Sequence, residues 1–417
     1  MSKLKMLRNV CFACFALVGV LQLRQNYATS DEIVHSRAER SAIYMQEITE
    51  IQQVRIRTMP NDEYCVAANI IQGKINETDR ITLILHMSSD RLNTKKLAEH
   101  AKNWDGPISI AVVFPEETQL NSSYVNCAIS KLQRLALMDK DVSEKLSVHF
   151  IVKGVTCEDF VLRNFTIGHQ YDRCAIMRPK LSDNQQIKRM VEYPVNKARN
   201  VARKFVSTDY ILSADMDHFF SKDFELKMRT LAKRVLSESP KAVLVYRIFE
   251  VSDQAKTQPK TKEDLHRLFL SYNAQEFHKY YGAHNIPKLY EWFMKPEKDE
   301  VGIQFYKPYT NPAWEPQFVS STNIPLHDET FLYPLRDNTV LRWEMCRAGY
   351  KFAIVEDVFM YHLGYKEPGE LKLTNQARDT IRKPFWHVLK SFISRMNKQY
   401  PTTKHKCPNF DKYLKEF

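Results

Sequence analysis

Glycine is scarce in this chain, at 10 of 417 residues. No GxGxxG and no GxxxxGK(S/T) string occurs, so neither a dinucleotide fingerprint nor a P-loop is on offer. The only CxxC, Cys11 to Cys14, lies inside an apolar run where a redox or metal motif has no use. None of the other six cysteines forms such a pair, which argues against structural zinc. Zinc-finger, RNP-type and homeodomain-type strings are missing too, and nucleic acid is not an expected partner. Internal repeats and low-complexity tracts are absent. No apolar run reaches the roughly 17–25 residues of a comfortable membrane span.

An apolar content of 44% and a charged content of 26% are those of a globular chain with a large core. The net charge of +12 is unevenly spread: from Lys366 onward stand 12 basic against 5 acidic residues. That suits a solvated basic helix and tail, or attraction toward an anionic donor, a polyanionic glycan or lipid headgroups. Val10 to Leu21 is uninterruptedly apolar and follows Lys3, Lys5 and Arg8. Stretched from Leu7 to Leu23 with Arg8 snorkelling, it can cross a thin bilayer with the body on the far side. A cleaved signal peptide is the rival, but RQNYATS after Leu23 offers no small-x-small cleavage pattern. Asn76, Asn121 and Asn164 each open a glycosylation acceptor tripeptide, in keeping with a lumenal body. There, Cys65, Cys127, Cys157, Cys174, Cys346 and Cys407 are expected to form disulfides whose pairing stays open.

Beyond the anchor, Met45, Ile48, Ile51 and Val54 share one helical stripe. The reading is a helical stem over 24–60, with the stripe a candidate homodimer surface. Then strand and helix signals alternate. Ile81–Met87, Ile108–Phe114, Val148–Val152, Asp209–Ala214 and Ala242–Tyr246 read as strands, and Phe352–Val358 leads into a last one reaching His362. A polar helical stretch runs from about Asn93 to Asn103, and Pro194 opens a helix through Phe205. Such alternation predicts an α/β domain with a mostly parallel central sheet.

Ligands of such sheets bind beyond the carboxyl ends of the strands, and Asp215-Met216-Asp217 stands at one. Two aspartates one residue apart can aim oxygens at one hard divalent cation, which in turn can neutralise a leaving diphosphate. A bare DxD is weak evidence, since about one is expected by chance in a chain of this length. A second, Asp139-Lys140-Asp141, occupies a polar connection and reads as surface charge. The neighbours strengthen the first: Asn196, Arg199, Asn200 and Arg203 recur at helical spacing just upstream.

Three further strings follow: Trp314-Glu315-Pro316, Pro325-Leu-His-Asp-Glu-Thr-Phe331, and Tyr361-His362-Leu-Gly364-Tyr-Lys366. Together with the DxD, the Tyr193-Pro-x-Asn helix, Trp104-Asp105-Gly106-Pro107 and Ala348-Gly349-Tyr350-Lys351-Phe352, they resemble the family 49 glycosyltransferases, of β-1,4-glucuronyltransferase and LARGE type. The likeness runs from about Ile81 to Cys407 and is nearest to the glucuronyltransferase branch. It implies a GT-A fold, which takes 61–417 behind the cytosolic tail at 1–9 and the signal-anchor at 10–23 read from the apolar run. It also implies a UDP-sugar donor, a glycan or glycoprotein acceptor, Mn²⁺ or Mg²⁺, and inversion; with the anchor, the expectation is a single-pass type II protein of the Golgi membrane. By the same likeness Asp215, Asp217 and His362 would hold the metal. Asn196, Arg199, Asn200, Arg203, Asp215, Trp314, Glu315 and Lys366 would contact the donor. Asp328, then Glu329, would be the base that takes the acceptor's proton. One departure stands out: where the relatives carry Gly-x-Asn-basic, this chain has Leu335-Arg336-Asp337-Asn338, which puts the donor sugar in question. A catalytically silent glycan-binding relative and a nucleotide-sugar hydrolase are the alternative readings.

Overall fold

The structure is a computed structural model that describes residues 52–61, 63–120, 122–153, 162–167, 174–176, 180–279, 282–365 and 368–410. The tail, the anchor run, most of the stem, Asn121 and Lys366 lie outside the described residues, and so does the side chain of Asn164. Among the described residues no helix is long and apolar enough to cross a membrane.

Apolar runs become strands. In chain order these are β1 (Gln52–Asn61), β2 (Tyr64–Ile71), β3 (Ile81–Ser88), β4 (Ile108–Glu117), β5 (Leu146–Lys153), β6 (Leu162–Ile167) and β7 (Tyr210–Ser213). Then come β8 (His218–Phe220), β9 (Ala242–Val251), β10 (Ala274–Glu276), β11 (Ile303–Lys307), β12 (Gln317–Ser321) and β13 (Lys351–Leu363). The helices are α1 (Thr94–Asn103), α2 (Ser123–Met138), α3 (Lys140–Lys145), α4 (Asp183–Glu192), α5 (Val195–Lys204), α6 (Phe224–Glu238), α7 (Lys262–Leu270), α8 (Leu289–Met294), α9 (Thr339–Arg347) and α10 (Pro368–Gln399).

The sheet order is β11-β13-β9-β12-β7-β3-β4-β5-β2-β1, with β8 against β13 and β10 against β9. β7, β3, β4 and β5 are mutually parallel, as are β9 and β13. The expectation of a mostly parallel sheet needs correction, because the sheet is mixed. β12 runs down between β7 and β9 antiparallel to both, and β2, β8, β10 and β11 are antiparallel additions. The six parallel strands still point one way, so they share one carboxyl edge. Covered on both faces, their interiors read as continuous apolar runs: Ile81, Leu83, Ile84 and Leu85 of β3 are all fully buried.

The helical stem also needs correction at its end. Val54, Ile56 and Thr58 alternate with Arg55 and Arg57, a period of two that suits a strand. β1 accordingly pairs with β2, Arg57 opposite Ala68. Gly106 marks a close approach: a Cβ there would sit 2.6 Å from the Ile81 carbonyl oxygen, so no larger residue fits under β3. The long helix α10 docks one stripe, Ala377, Ile381, Phe385, Leu389, Phe392 and Met396, into the core. Disulfides join Cys127 to Cys174 and Cys346 to Cys407, and Cys65 is disulfide-bonded as well. Asp139 of the second DxD accepts from the Val142 amide at 3.1 Å, which makes it the N-cap of α3.

Candidate active site

β7 delivers Asp215 to the carboxyl edge. The Ala214 amide still bonds to Ile84 of β3, and the chain then turns, with His218 N–H donating to Asp215 O at 3.1 Å. Met216 is buried and serves as the anchor of the turn, so both flanking carboxylates face outward. β8 then pairs antiparallel with β13, setting His218 directly opposite His362, with ring centroids 6.1 Å apart. A three-residue strand thus brings together two positions 144 apart in sequence.

Helix α1 supports this turn from behind. His100 Nε2 donates to the Met216 carbonyl at 2.9 Å, and burial pushes its pKa down to about 4, so the ring is neutral at physiological pH. Asn103 clasps Phe220 in both directions, at 3.0 Å each way. Lys96, one turn before His100, forms an ion pair with Asp217. These three polar residues at i, i+4 and i+7 escaped sequence reading because such a stripe usually faces solvent.

Burial alone would raise the Asp215 carboxyl. His86, His218 and Arg199 outweigh it and hold Asp215 well below the usual carboxylate range. His86 bridges the Tyr193 hydroxyl (2.9 Å) and Asp215 Oδ1 (3.4 Å), which gives the Tyr-Pro-x-Asn motif its first residue's role. For Asp217, the opposing contributions of burial and Lys96 resolve downward as well, with His362 and His218 adding to the effect. His218 Nδ1 accepts from the Asp215 amide at 3.1 Å, which fixes its proton on Nε2.

Among the described residues no three His, Cys, Asp or Glu side chains form a ready-made metal cage. The Asp217 carboxylate is turned to Lys96 instead. The donor set nonetheless fits a divalent cation. Both carboxylates are held ionised, and His362 donates its Nδ1 proton to Gly364 O at 3.0 Å, which leaves the Nε2 lone pair for a ligand.

The residues expected to hold the donor along α5 are turned elsewhere. Arg203 donates to the carbonyls of Thr322, Ile324 and Pro325 at 2.8–3.1 Å. Asn200 brackets His327 through both its N–H and C=O and reaches Glu329. Asn196 donates to the carbonyls of Asp328 and Asp337. Asn196, Arg199, Asn200 and Arg203 are all buried, and they fasten the segment 322–337 along the helix. Arg199 alone also acts on Asp215 while pairing with Asp337 at 2.9 Å.

The expected bases are engaged too. Asp328 Oδ2 takes Arg395 at 2.6 Å and its Oδ1 takes the Thr330 amide and hydroxyl. Glu329 accepts from Asn200 at 2.8 Å and pairs with Lys197 at 3.1 Å. Trp314 is 1% exposed, packed in the core against Tyr309 and Phe352, with Lys307 Nζ 4.0 Å above its ring. Glu315 differs from all of these. It precedes β12 at the carboxyl edge, is partly open, receives the Thr339 hydroxyl on Oε1, and has Oε2 4.0 Å from His284. In the departing segment Arg336 adopts φ 57°, the left-handed conformation that glycine favours. Asn76 lies exposed on the loop after β2.

An open α/β sheet presenting ionised carboxylates and a histidine at its carboxyl edge belongs to the class of enzymes that bind their ligand beyond the strand ends. Within that class the chain belongs to the glycosyltransferase family described as "Glycosyl-transferase for dystroglycan", whose family model matches residues 80–401. It is a divergent glycosyltransferase of the β-1,4-glucuronyltransferase branch. It is 24% identical to beta-1,4-glucuronyltransferase 1 of Danio rerio over 368 residues, 83% of this chain and 82% of that one. Against the human protein of the same name it is 24% identical over 362 residues, 83% and 81% of the two chains. Among solved structures, GalNAc-T7 with UDP, GalNAc and Mn²⁺ aligns at 10% identity and TM-score 0.34, over 81% of this chain and 56% of that one. A likeness that low carries no weight for this chain.

Proposed function

We propose that this glycosyltransferase, GT-A in fold, moves a sugar from a UDP-sugar to a hydroxyl of a glycan or glycoprotein acceptor, with inversion and with Mn²⁺ or Mg²⁺ as cofactor. Glucuronate is the first donor to test. The observation that carries the reading is the Asp215–His218 turn held against His362 by the pairing of β8 with β13. Asp215, Asp217 and His362 Nε2 would hold the cation, which when bound supplies positive charge beside the departing diphosphate.

The chain's own residues supply the rest. In this reading Glu315 is the base, since it stands at the carboxyl edge with an accessible oxygen while Asp328 and Glu329 are tied into ion pairs. The acceptor oxygen attacks the anomeric carbon as its proton passes to Glu315. The bond from that carbon to the diphosphate breaks, and UDP leaves with the electron pair. The Thr339 hydroxyl holds the opposite oxygen of Glu315 and so orients the carboxylate. His100 and Asn103 keep the turn in place, and the four α5 residues are positioning groups. Lys366 is retained as a donor contact by resemblance alone. The disulfides and the exposed Asn76 support a lumenal setting, and the run at 10–23 would anchor the chain in the Golgi membrane.

Lys96 on Asp217 favours a second reading, in which an ammonium stands permanently in the cation's place and the protein binds glycan without turnover. Secreted residues 24–417 incubated with Mn²⁺, a panel of UDP-sugars and a glycan mixture decide between them. Transfer is expected. Glu315→Gln should lower kcat about 10²–10⁴-fold, whereas Asp328→Asn should cost less than about tenfold. Collapse on Asp328→Asn with Glu315→Gln active would move the base back to Asp328. Tight UDP binding with no transfer from any donor would support the silent reading.

A further inference from the structure

The described residues also line a hollow away from the carboxyl edge. A cavity of about 720 Å³ opens at the opposite edge of the sheet, within the size range of ligand sites. Lys241 and Tyr350 immediately precede β9 and β13, and Asn323 follows the end of β12, which fixes the location. β9 runs from there to Glu250, opposite His362, so the amino-edge end of the hollow lies about 25 Å of sheet from the transfer site, while its wall at His327 and Asp328 follows α5 up to Asn200 and Asn196. One wall is the segment 323–330 and the other is helix α10.

The chemistry of the walls is mixed. The Arg395 guanidinium forks between two carboxylates, Glu344 at 3.2 Å and Asp328 at 2.6 Å. Lys241 donates to the Ala348 carbonyl at 2.8 Å. Two cations and two anions offset one another, so the interior selects for no strong charge. Tyr350, Phe392 and Tyr400 contribute aromatic surface, and Thr330 and Ser391 contribute hydroxyls. His327 also lines the cavity. It is 3% exposed and neither ring nitrogen has a hydrogen-bond partner, although a buried imidazole normally satisfies both. Aromatic faces beside carboxylates, a guanidinium and hydroxyls suit a polyhydroxylated ring, whose O–H groups both donate and accept.

This cavity does not end at α10. A second hollow of about 560 Å³ shares Ser391 and Arg395 with it and is otherwise lined by Lys390, Ser394 and Lys398. Lys390, Ser394 and Lys398 recur every fourth residue and so form one face of the helix. Here the balance is positive, in contrast to the neutral interior.

We propose that this trough is a second saccharide-binding site, distinct from the transfer site, that takes an anionic oligosaccharide. Sugar rings occupy the mixed cavity, and carboxylate, sulfate or phosphate substituents lie along the Lys390–Lys398 rim. Its amino-edge end would hold a growing or extended acceptor about 25 Å from its reacting end, beyond what a short acceptor spans. The inference rests on the chain's membership of a glycosyltransferase family and not on the donor, the metal or the identity of the base.

The test is calorimetric titration of the secreted chain, saturated with UDP and Mn²⁺, with a tetrasaccharide carrying alternate uronates. The same tetrasaccharide with its carboxylates reduced to alcohols is run beside it. Binding should survive UDP saturation and Asp217→Ala. Ser391→Trp, which fills the cavity from an exposed helix position, should weaken it at least about tenfold. The double variant Lys390→Glu/Lys398→Glu should weaken only the charged tetrasaccharide, by about fivefold or more. UDP affinity of the Ser391 and Lys390/Lys398 variants, and the urea midpoint of Asp217→Ala, report whether the fold is intact. Competition by UDP, loss of binding in Asp217→Ala, indifference to Ser391→Trp, equal affinity for the reduced sugar, or no binding at all would each overturn the proposal. Failure of sugar transfer with retained tetrasaccharide binding would overturn the proposed function and leave this site standing.

Discussion

The Asp217 carboxylate faces Lys96, and a cation that binds there must displace that ammonium or share the oxygens with it. Pairs this exposed are worth at most about 1 kcal/mol. Lys96→Ala should therefore raise Mn²⁺ affinity about two- to fivefold in the absence of nucleotide, as read by Mn²⁺ electron paramagnetic resonance. An unchanged or weaker affinity would mean that Lys96 helps the cation and does not compete with it. At this scale the motif strings gave the placement of three residues, with Asp215 and Asp217 at the end of β7 and His362 opposite His218 on β13. The sequence was not legible where a role depends on which way a side chain turns. Lys96, His100 and Asn103 form a stripe that any solvated helix could carry, and only the fold reveals that His100 is buried under the turn. Trp314 shows the same limit: the resemblance makes it a donor contact, and its ring is packed in the core.

Among the elements, α5 and the segment 322–337 behave as one unit. A segment without its own ladder needs donors for its carbonyls, and α5 supplies them from Asn196, Asn200 and Arg203. Arg203→Ala removes three such bonds from a buried place. It should lower stability by about 2–4 kcal/mol in urea unfolding while changing the donor KM less than about twofold. A large KM change with little loss of stability would restore Arg203 to the donor site. The helix itself was readable to within a residue from Pro194 and the helical spacing of its polar residues. The target of its polar face was not, because guanidinium and amide groups serve phosphate and backbone carbonyls equally well. β8 escaped notice for a different reason, since three residues carry no periodicity.

For the molecule as a whole, alternating strand and helix signals led correctly to a layered α/β body. They overstated its parallel character because β12 is short and enters between two parallel strands. Stability should fall in mild acid. His100 and His149 are buried, and desolvation lowers their pKa to about 4 and about 3. Between those values and 6.5 the unfolded chain binds protons that the native state does not. Their contribution is therefore complete above pH 6.5 and is lost as pH falls through that window, by about 2 kcal/mol each at pH 5. The urea midpoint should be lower at pH 5 than at pH 7.5. An equal or higher midpoint would show that these rings protonate in place.

The central claim is that Asp215 and Asp217 form a divalent-cation site on which sugar transfer depends. Its most direct measurement is transfer from UDP-glucuronate and other UDP-sugars to a glycan acceptor by the wild-type chain and by Asp217→Ala, each with EDTA and with Mn²⁺ restored. Wild-type transfer should be abolished by EDTA and rescued by Mn²⁺, and Asp217→Ala should fold normally yet transfer at least about 10²-fold more slowly at any Mn²⁺ concentration. Undiminished transfer in EDTA, or an Asp217→Ala protein as active as the wild type, would contradict that claim.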